Sequence, residues 1–527
     1  MCPPLAQGPK TAPVLNLKNL LRPTDRWMAA LRVLFGALLL MGVIAFNGRP
    51  AVFADSNIYD WMGQLQYRPI AYALSPLTHG PASARQDPDA ADESPADMQM
   101  RRTEMDARSP WYGMYLYGVE SLGSLWGLAA LQALILSFSL EALYRRLAPA
   151  RGSRPGLAGW LGVMAGLCVF STLPFFVGFA MPDVFIGSGL IGLFLLIARW
   201  GDFSALERAA HLFLVFLAFA FHRANGPVIL GAGGLLCLWL VFRGARPVPI
   251  RPAASVIGLF LAALALTAGY EGAIRHATGE TLRSPPFLTA RLLADGPGRV
   301  YLKAACARGE KWALCRYAKL PLNDSQDILW SGSAAKGVFS RATVAQRIAI
   351  DEEQTRFVVA VIASDPLGVI SHALSNAVQE FTNVYLDDPL RDPHFYLTDP
   401  DWRDTFIADM VHRISDCDPD DTGCKPRFTE AQSRLWHGGA FAVAMAIILA
   451  WLAFARKKAG MLESFCLFVL VALFLNAATT GALSGPFARY QARLSFLAPL
   501  CALLIAQGLM INDRQAPQDG LEGGDDA

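Results

Sequence analysis

The chain has 527 residues, of which 53% are hydrophobic and only 17% charged, and its formal net charge is +2. A soluble chain of this size would carry about 25% charged residues, so a fully soluble protein is excluded. Neither the balanced charge nor any basic run provides a patch for nucleic acid, and no nucleic-acid partner is expected.

The first apolar block, 27–46, follows a polar tail, 1–26. It is too long for the apolar core of a secretory signal and lacks a small-residue cleavage site, so it is read as a membrane span. The loop 47–121 comes next, and within it 85–107 is rich in acids, Pro and Ala and reads as a flexible insertion. Further spans are expected at 122–143, 157–177, 183–199, 209–222, 227–243 and 253–270. A helix needs roughly 17–25 mostly apolar residues to cross a bilayer. The polar stretch 271–435 is the only region large enough for a soluble domain. It should be mainly helical. Val344, Ile348, Phe357, Val358 and Val361 recur among charged residues, and Ala363-Ser364-Asp365-Pro366 marks a break before a second helix reaching about Thr382. Spans at 436–454, 463–479 and 494–511 complete the bundle, and the acidic, Gly-rich 512–527 reads as a disordered tail. The expected fold is an all-α polytopic membrane protein with about ten transmembrane helices and a mainly helical external domain inserted before the last three.

Orientation follows from basic residues in the short loops. Lys18, Arg22 and Arg26; Arg145, Arg146, Arg151 and Arg154; Arg199 and Arg208; Arg243, Arg246 and Arg251; and Arg456, Lys457 and Lys458 all fall on one side when ten spans are counted. That side is expected to be the cytoplasm of a bacterial cell, with both termini in it and 271–435 in the periplasm. Cys306, Cys315, Cys417 and Cys424 lie in the proposed external domain, an even set on the oxidising side, which suggests two disulfides. Local pairs Cys306–Cys315 and Cys417–Cys424 are the reading adopted, although four cysteines allow three connectivities.

Gly187-Ser188-Gly189-Leu190-Ile191-Gly192 matches a dinucleotide fingerprint, but it lies inside a span with no preceding strand, so its glycines are read as helix-packing positions. No P-loop, His-Glu-x-x-His or Gly-x-Ser-x-Gly motif is present. No cofactor is expected, no metal-ligand residues are assigned, and the sequence leaves open whether a divalent metal is required.

Ionisable residues at span ends are costly and raise functional hypotheses. Asp55 follows the first span and Glu120 precedes the second; Asp183 opens the fourth; His222 and Arg223 end the fifth; Arg489 and Arg493 open the tenth. All map to the outer face. Each singly is explained as an interfacial residue snorkelling to water, and Asp55 or Asp183 as a helix cap. Together an acid and several cations fit group transfer from a lipid phosphate. Arginines would hold the phosphate through their fork of donors, and a carboxylate would take the proton of an acceptor hydroxyl. Asp55 is the candidate base, and Arg489 and Arg493 are the candidate phosphate ligands, with Asp183, His222 and Arg223 as further contacts.

Four stretches carry a family resemblance. They are Ala54-Asp55-Ser56-Asn57-Ile58-Tyr59; Arg108-Ser109-Pro110-Trp111-Tyr112-Gly113; Leu173-Pro174-Phe175 through Met181-Pro182-Asp183; and Gly485-Pro486-Phe487-Ala488-Arg489-Tyr490 with Arg493 and Pro499. In their order and their place between spans the chain resembles the GT-C superfamily of integral membrane glycosyltransferases, which use polyprenyl-phosphate sugars. The resemblance implies a base in the first external loop, which falls on Asp55, and donor-phosphate contacts from later outer loops; Tyr59 and Arg108 join the substrate-binding candidates on its strength. The implied partners are a polyprenyl-phosphate sugar, membrane lipid, and a cell-envelope glycan, lipid or protein acceptor. Two features depart from the family pattern: no adjacent Asp-Glu pair stands at Asp55, and the soluble domain precedes the last three spans. A transporter or flippase of lipid-linked saccharides is the alternative. It would call for ionisable groups at mid-membrane depth and two related halves, which the sequence does not display. A non-catalytic assembly protein, with the external domain as its interaction module, is a third reading.

Overall fold

A computed structural model describes residues 23–78, 108–147, 156–244, 249–278, 282–392, 395, 398, 425–454 and 460–513. The acidic insertion 85–107, most of both tails, and Cys417 and Cys424 lie outside these residues. In chain order the helices are α1 (Pro23–Asn47), α2 (Ala54–Thr78), α3 (Pro110–Leu147), α4 (Leu157–Phe170), α5 (Leu173–Val177), α6 (Val184–Arg199), α7 (Ala205–Phe221), α8 (Asn225–Phe242) and α9 (Ile250–Thr278). The polar insertion contributes α10 (Phe287–Asp295), α11 (Pro297–Ala307), α12 (Ser325–Trp330), α13 (Val344–Ser364) and α14 (Pro366–Thr382). The chain returns through α15 (Glu430–Phe454), α16 (Met461–Leu483), α17 (Ala488–Ser495) and α18 (Leu497–Asp513). Among the described residues the only extended pairing is a single parallel bridge between Ala51 and Phe179.

The protein is an all-α, multi-pass membrane protein. Eight helical stretches among the described residues are long and apolar enough to cross a bilayer: Arg26–Asn47, Ser124–Leu147, Val184–Asp202, Asn225–Phe242, Ile250–His276, Glu430–Phe454, Met461–Leu483 and Ala488–Leu509. The other two expected spans are also helical but shorter. α4 stops at Phe170, and Ser171 and Thr172 separate it from α5, while α7 has 17 residues. Local signals explain the starts. Ser204 and Glu207 form a reciprocal capping box for α7, and Thr343 and Gln346 do the same for α13. Pro366 opens α14 after Asp365, whose carboxylate accepts from the Gly368 N–H.

α6 is buried from Val184 to Ile197 and forms the centre of the bundle, apolar on every side as a wholly enclosed helix must be. The insertion has its own core, built from residues such as Leu293, Leu302, Leu314, Ile328, Phe339, Phe357 and Val361. A Cys306–Cys315 disulfide closes its α11 end.

The bundle has two chemically distinct ends. At one, Glu141 joins Arg32 at 2.7 Å and Arg145 at 2.9 Å, Arg145 reaches Glu207 at 3.0 Å, and Arg243 meets Glu463 at 3.3 Å. These contacts gather the start of α1, the end of α3, the start of α7, the end of α8 and the start of α16, so the helix ends flanking the Arg-rich loops share this end. At the opposite ends of α3 and α7 stand Arg108, His222 and Arg223, three of the residues singled out above.

Candidate functional site

Asp55 stands in the first turn of α2. The preceding loop is pinned to the segment between α5 and α6: Ala51 N–H donates to Gly178 O at 2.7 Å, Ala180 N–H to Ala51 O at 2.9 Å, and Ser56 Oγ to Ala180 O at 2.8 Å. Ser56 Oγ also accepts from Phe53 N–H at 3.0 Å. The Asp55 carboxylate takes a charge-assisted hydrogen bond from Arg108, Nη2 to Oδ1 at 2.5 Å. Arg108 is held one residue before Ser109, whose hydroxyl donates to Ala220 O at 2.6 Å at the end of α7. The starts of α2 and α3 and the end of α7 therefore meet.

Tyr59 is buried with its ring edge-on to Tyr112, centroids 4.8 Å apart, in an aromatic cluster with Tyr115, Phe185 and Phe221. Burial pushes its phenol up, as do Asp55 and Asp183, while Arg108 and Arg489 act the other way, so the hydroxyl stays neutral among these charges.

Asp183 makes no side-chain cap at α6 despite preceding it. Instead its carboxylate faces Arg493 at 3.5 Å, and both side chains are fully or almost fully buried. Arg493 Nη2 also donates to Asn476 Oδ1 at 3.1 Å. Asn476 in turn donates to Tyr490 O at 2.7 Å and to Gln491 Oε1 at 2.8 Å, which anchors α17 on α16. Arg489 pairs with Asp388 at 3.2 Å and lies over the rings of Phe53, at 4.7 Å, and Tyr490, at 5.2 Å. Asp388 is also held by Arg391 at 3.0 Å.

His222 follows α7, and its charged neighbours are Arg493, Arg489 and Arg108. Its Nδ1 is buried with no hydrogen-bond partner among the described residues. Arg223 points elsewhere: it pairs with Glu271 on α9 and is half-exposed. Seven of the eight base and substrate-binding candidates thus converge, namely Asp55, Tyr59, Arg108, Asp183, His222, Arg489 and Arg493, and Arg223 stands apart.

Sequence reasoning passed over four further members. Asp388 and Asp387 lie in the insertion and look like ordinary loop acids. Asn476 is a polar residue within a span, a signal that should have raised a hypothesis. Glu380 of α14 is fully buried and faces Arg493 electrostatically. Asp387 is pushed up to about 6, first by burial and then by the Asp388 carboxylate beside it, with Arg489 pulling the other way.

The result is three arginines each held by one aspartate, from segments 53, 101 and 310 residues apart in sequence. Such a nest offers guanidinium forks to an oxyanion and carboxylates to a hydroxyl. Among the described residues no group of three or more His, Cys, Asp or Glu side chains is placed to hold a metal ion. The chain matches no family model, no curated protein and no solved structure.

Proposed function

We propose that the chain is a GT-C-type glycosyltransferase of a bacterial inner membrane, with both termini in the cytoplasm. It would move a sugar from a polyprenyl-phosphate donor to an acceptor hydroxyl of a cell-envelope glycan, lipid or protein on the periplasmic face. The observation that carries this reading is the convergence of Asp55, Arg108, Asp183, Arg489 and Arg493 at the bundle end remote from the basic loops. The basic loops belong in the cytoplasm by their charge, which leaves this cluster at the outer headgroup level, where a lipid phosphate lies.

In this reading Arg489 and Arg493 bind the donor phosphate, and the ring faces of Phe53 and Tyr490 keep Arg489 in place. Arg108 fixes the Asp55 carboxylate through Oδ1 and leaves Oδ2 for the acceptor hydroxyl. The acceptor oxygen attacks the anomeric carbon and its proton passes to Asp55. The bond from the anomeric carbon to the phosphate oxygen breaks, and the electron pair leaves with the lipid phosphate. That leaving group is anionic throughout, so fixed cations stabilise it better than a proton donor would.

The test measures transfer from radiolabelled polyprenyl-phosphate sugars to endogenous acceptors in membranes carrying wild type or Asp55→Asn. Loss of a general base costs about 100- to 10,000-fold, so the variant should transfer almost nothing while remaining folded in detergent. Full activity in the variant removes Asp55 as base. Absence of transfer from any donor by the wild type would favour the transport reading.

A further inference from the structure

α14 has three chemically different sides. Asn376, Ala377 and Glu380 are buried against the bundle. Ser371, Ser375, Gln379 and Thr382, spaced so that they share a second side, are exposed and polar. Leu367, Ile370, Leu374 and Val378 form the third side, also exposed, with 78, 54, 60 and 68% of their surfaces uncovered. A helix at a simple protein–water boundary needs two sides, one apolar and one polar. A third, apolar and uncovered, calls for a third medium.

The surroundings of α14 say which medium. It packs along α16, a membrane-crossing helix, and the approach is close: a Cβ on Gly481 would lie 2.7 Å from Asn376 O. Large apolar side chains are also exposed on α16, at Phe474 and Leu483, and on α13, at Val359 and Ile362. α13 and α14 together are apolar enough to pass for one span, yet they bend by 103° at Asp365, which rules out a straight crossing.

The geometry points to α14 as an interfacial helix whose Leu367, Ile370, Leu374 and Val378 side is embedded in the leaflet at the candidate-site end of the bundle. The ligand is the glycerol and upper acyl region of phospholipid, and Ser371, Ser375 and Gln379 face the headgroups and water. Its buried side places Glu380 beside the backbone of α17 and toward Arg493, so the same helix joins the leaflet to the arginine cluster. This reading depends on the protein being a membrane protein and not on the reaction proposed above.

The full chain is reconstituted into vesicles of phosphatidylethanolamine and phosphatidylglycerol, with the photo-crosslinker p-benzoylphenylalanine at Leu374 in one preparation and at Ser375 in another. Both positions are exposed, so neither change disturbs packing. After illumination, mass spectrometry should find phospholipid adducts at position 374, several-fold above those at position 375. Equal adduct yields at the two positions would overturn the proposal. So would a polypeptide adduct at 374, from this chain or a second copy, because the side would then be covered by protein.

Discussion

At the scale of single residues, Arg108, Arg489 and Arg493 are charges removed from water, each paired with an aspartate. Such pairs add little net stability, while breaking one by deleting a partner costs about 3–5 kcal/mol. Their clustering is therefore better explained by ligand chemistry than by fold stability. Asp387 is the member that titrates near neutrality. Its folded value of about 6 lies above the value of about 3.9 expected in the unfolded chain. Between those values the folded state holds a proton that the unfolded state has lost, so stability falls as pH rises through this window. Asp387→Asn carries no charge at any pH. It should raise the melting temperature of the purified protein at about pH 7.5, by on the order of 1–3 kcal/mol of stability, and change it little at about pH 4. Removing a negative charge that faces Arg489 and Asp388 should also strengthen anion binding at the higher pH. A melting difference that stays constant across the range would show that Asp387 ionises normally. Asp55, Asp183, Arg489 and Arg493 were legible in the sequence because charges at span ends are conspicuous. Asp387 and Asp388 were not, because nothing local distinguishes a loop acid that will meet Arg489 from one that will meet water.

At the scale of elements, the apolar spans were legible and their polar extensions were not. α2 runs for 25 residues within the stretch 47–121 that the sequence reads as a loop, and α3 begins at Pro110, well before the expected span at 122. The two segments pack against each other, a contact between polar-containing helices that hydropathy does not report. Ser124, with a φ of 75°, marks the junction between the extension of α3 and its membrane part. The pairing of α2 with α3 depends on a backbone approach: a Cβ on Gly63 would lie 2.4 Å from Gly113 O. That approach sets Asp55 against Arg108. Gly63→Ala should therefore separate the two helices, cost about 1–3 kcal/mol through overpacking, and depress transfer along with stability. Gly42→Ala in α1 is the control, since nothing lies within 4 Å of the added carbon. Equal melting temperatures and activities for the two variants would mean that the α2–α3 contact does not position the candidate site.

At the scale of the whole molecule, the segregation of polar groups to two ends was the most legible feature, because it is a count of charges over several loops rather than a judgement about any one. The folded chain gathers Arg32, Arg145, Arg146 and Arg243 near one end, and the insertion touches the other through Asp388 and Arg489. Which end faces out is a separate matter, and Cys306 and Cys315 give it a chemical test. They are bridged against the core of the insertion, and a disulfide persists only on the oxidising side of the membrane. Arg308 and Lys311 lie between them, so trypsin releases the two cysteines on separate peptides unless a bridge joins them. Cells expressing the full chain are alkylated during lysis without reductant, and the digest should contain the two peptides joined. Removing the bridge with Cys306→Ser and Cys315→Ser together should lower the stability of the insertion by about 2–4 kcal/mol. Recovery of both cysteines as alkylated free thiols would place the insertion in a reducing compartment. Because Asp388 of the insertion holds Arg489, the candidate site would move with it, and transfer on the periplasmic face would have to be abandoned.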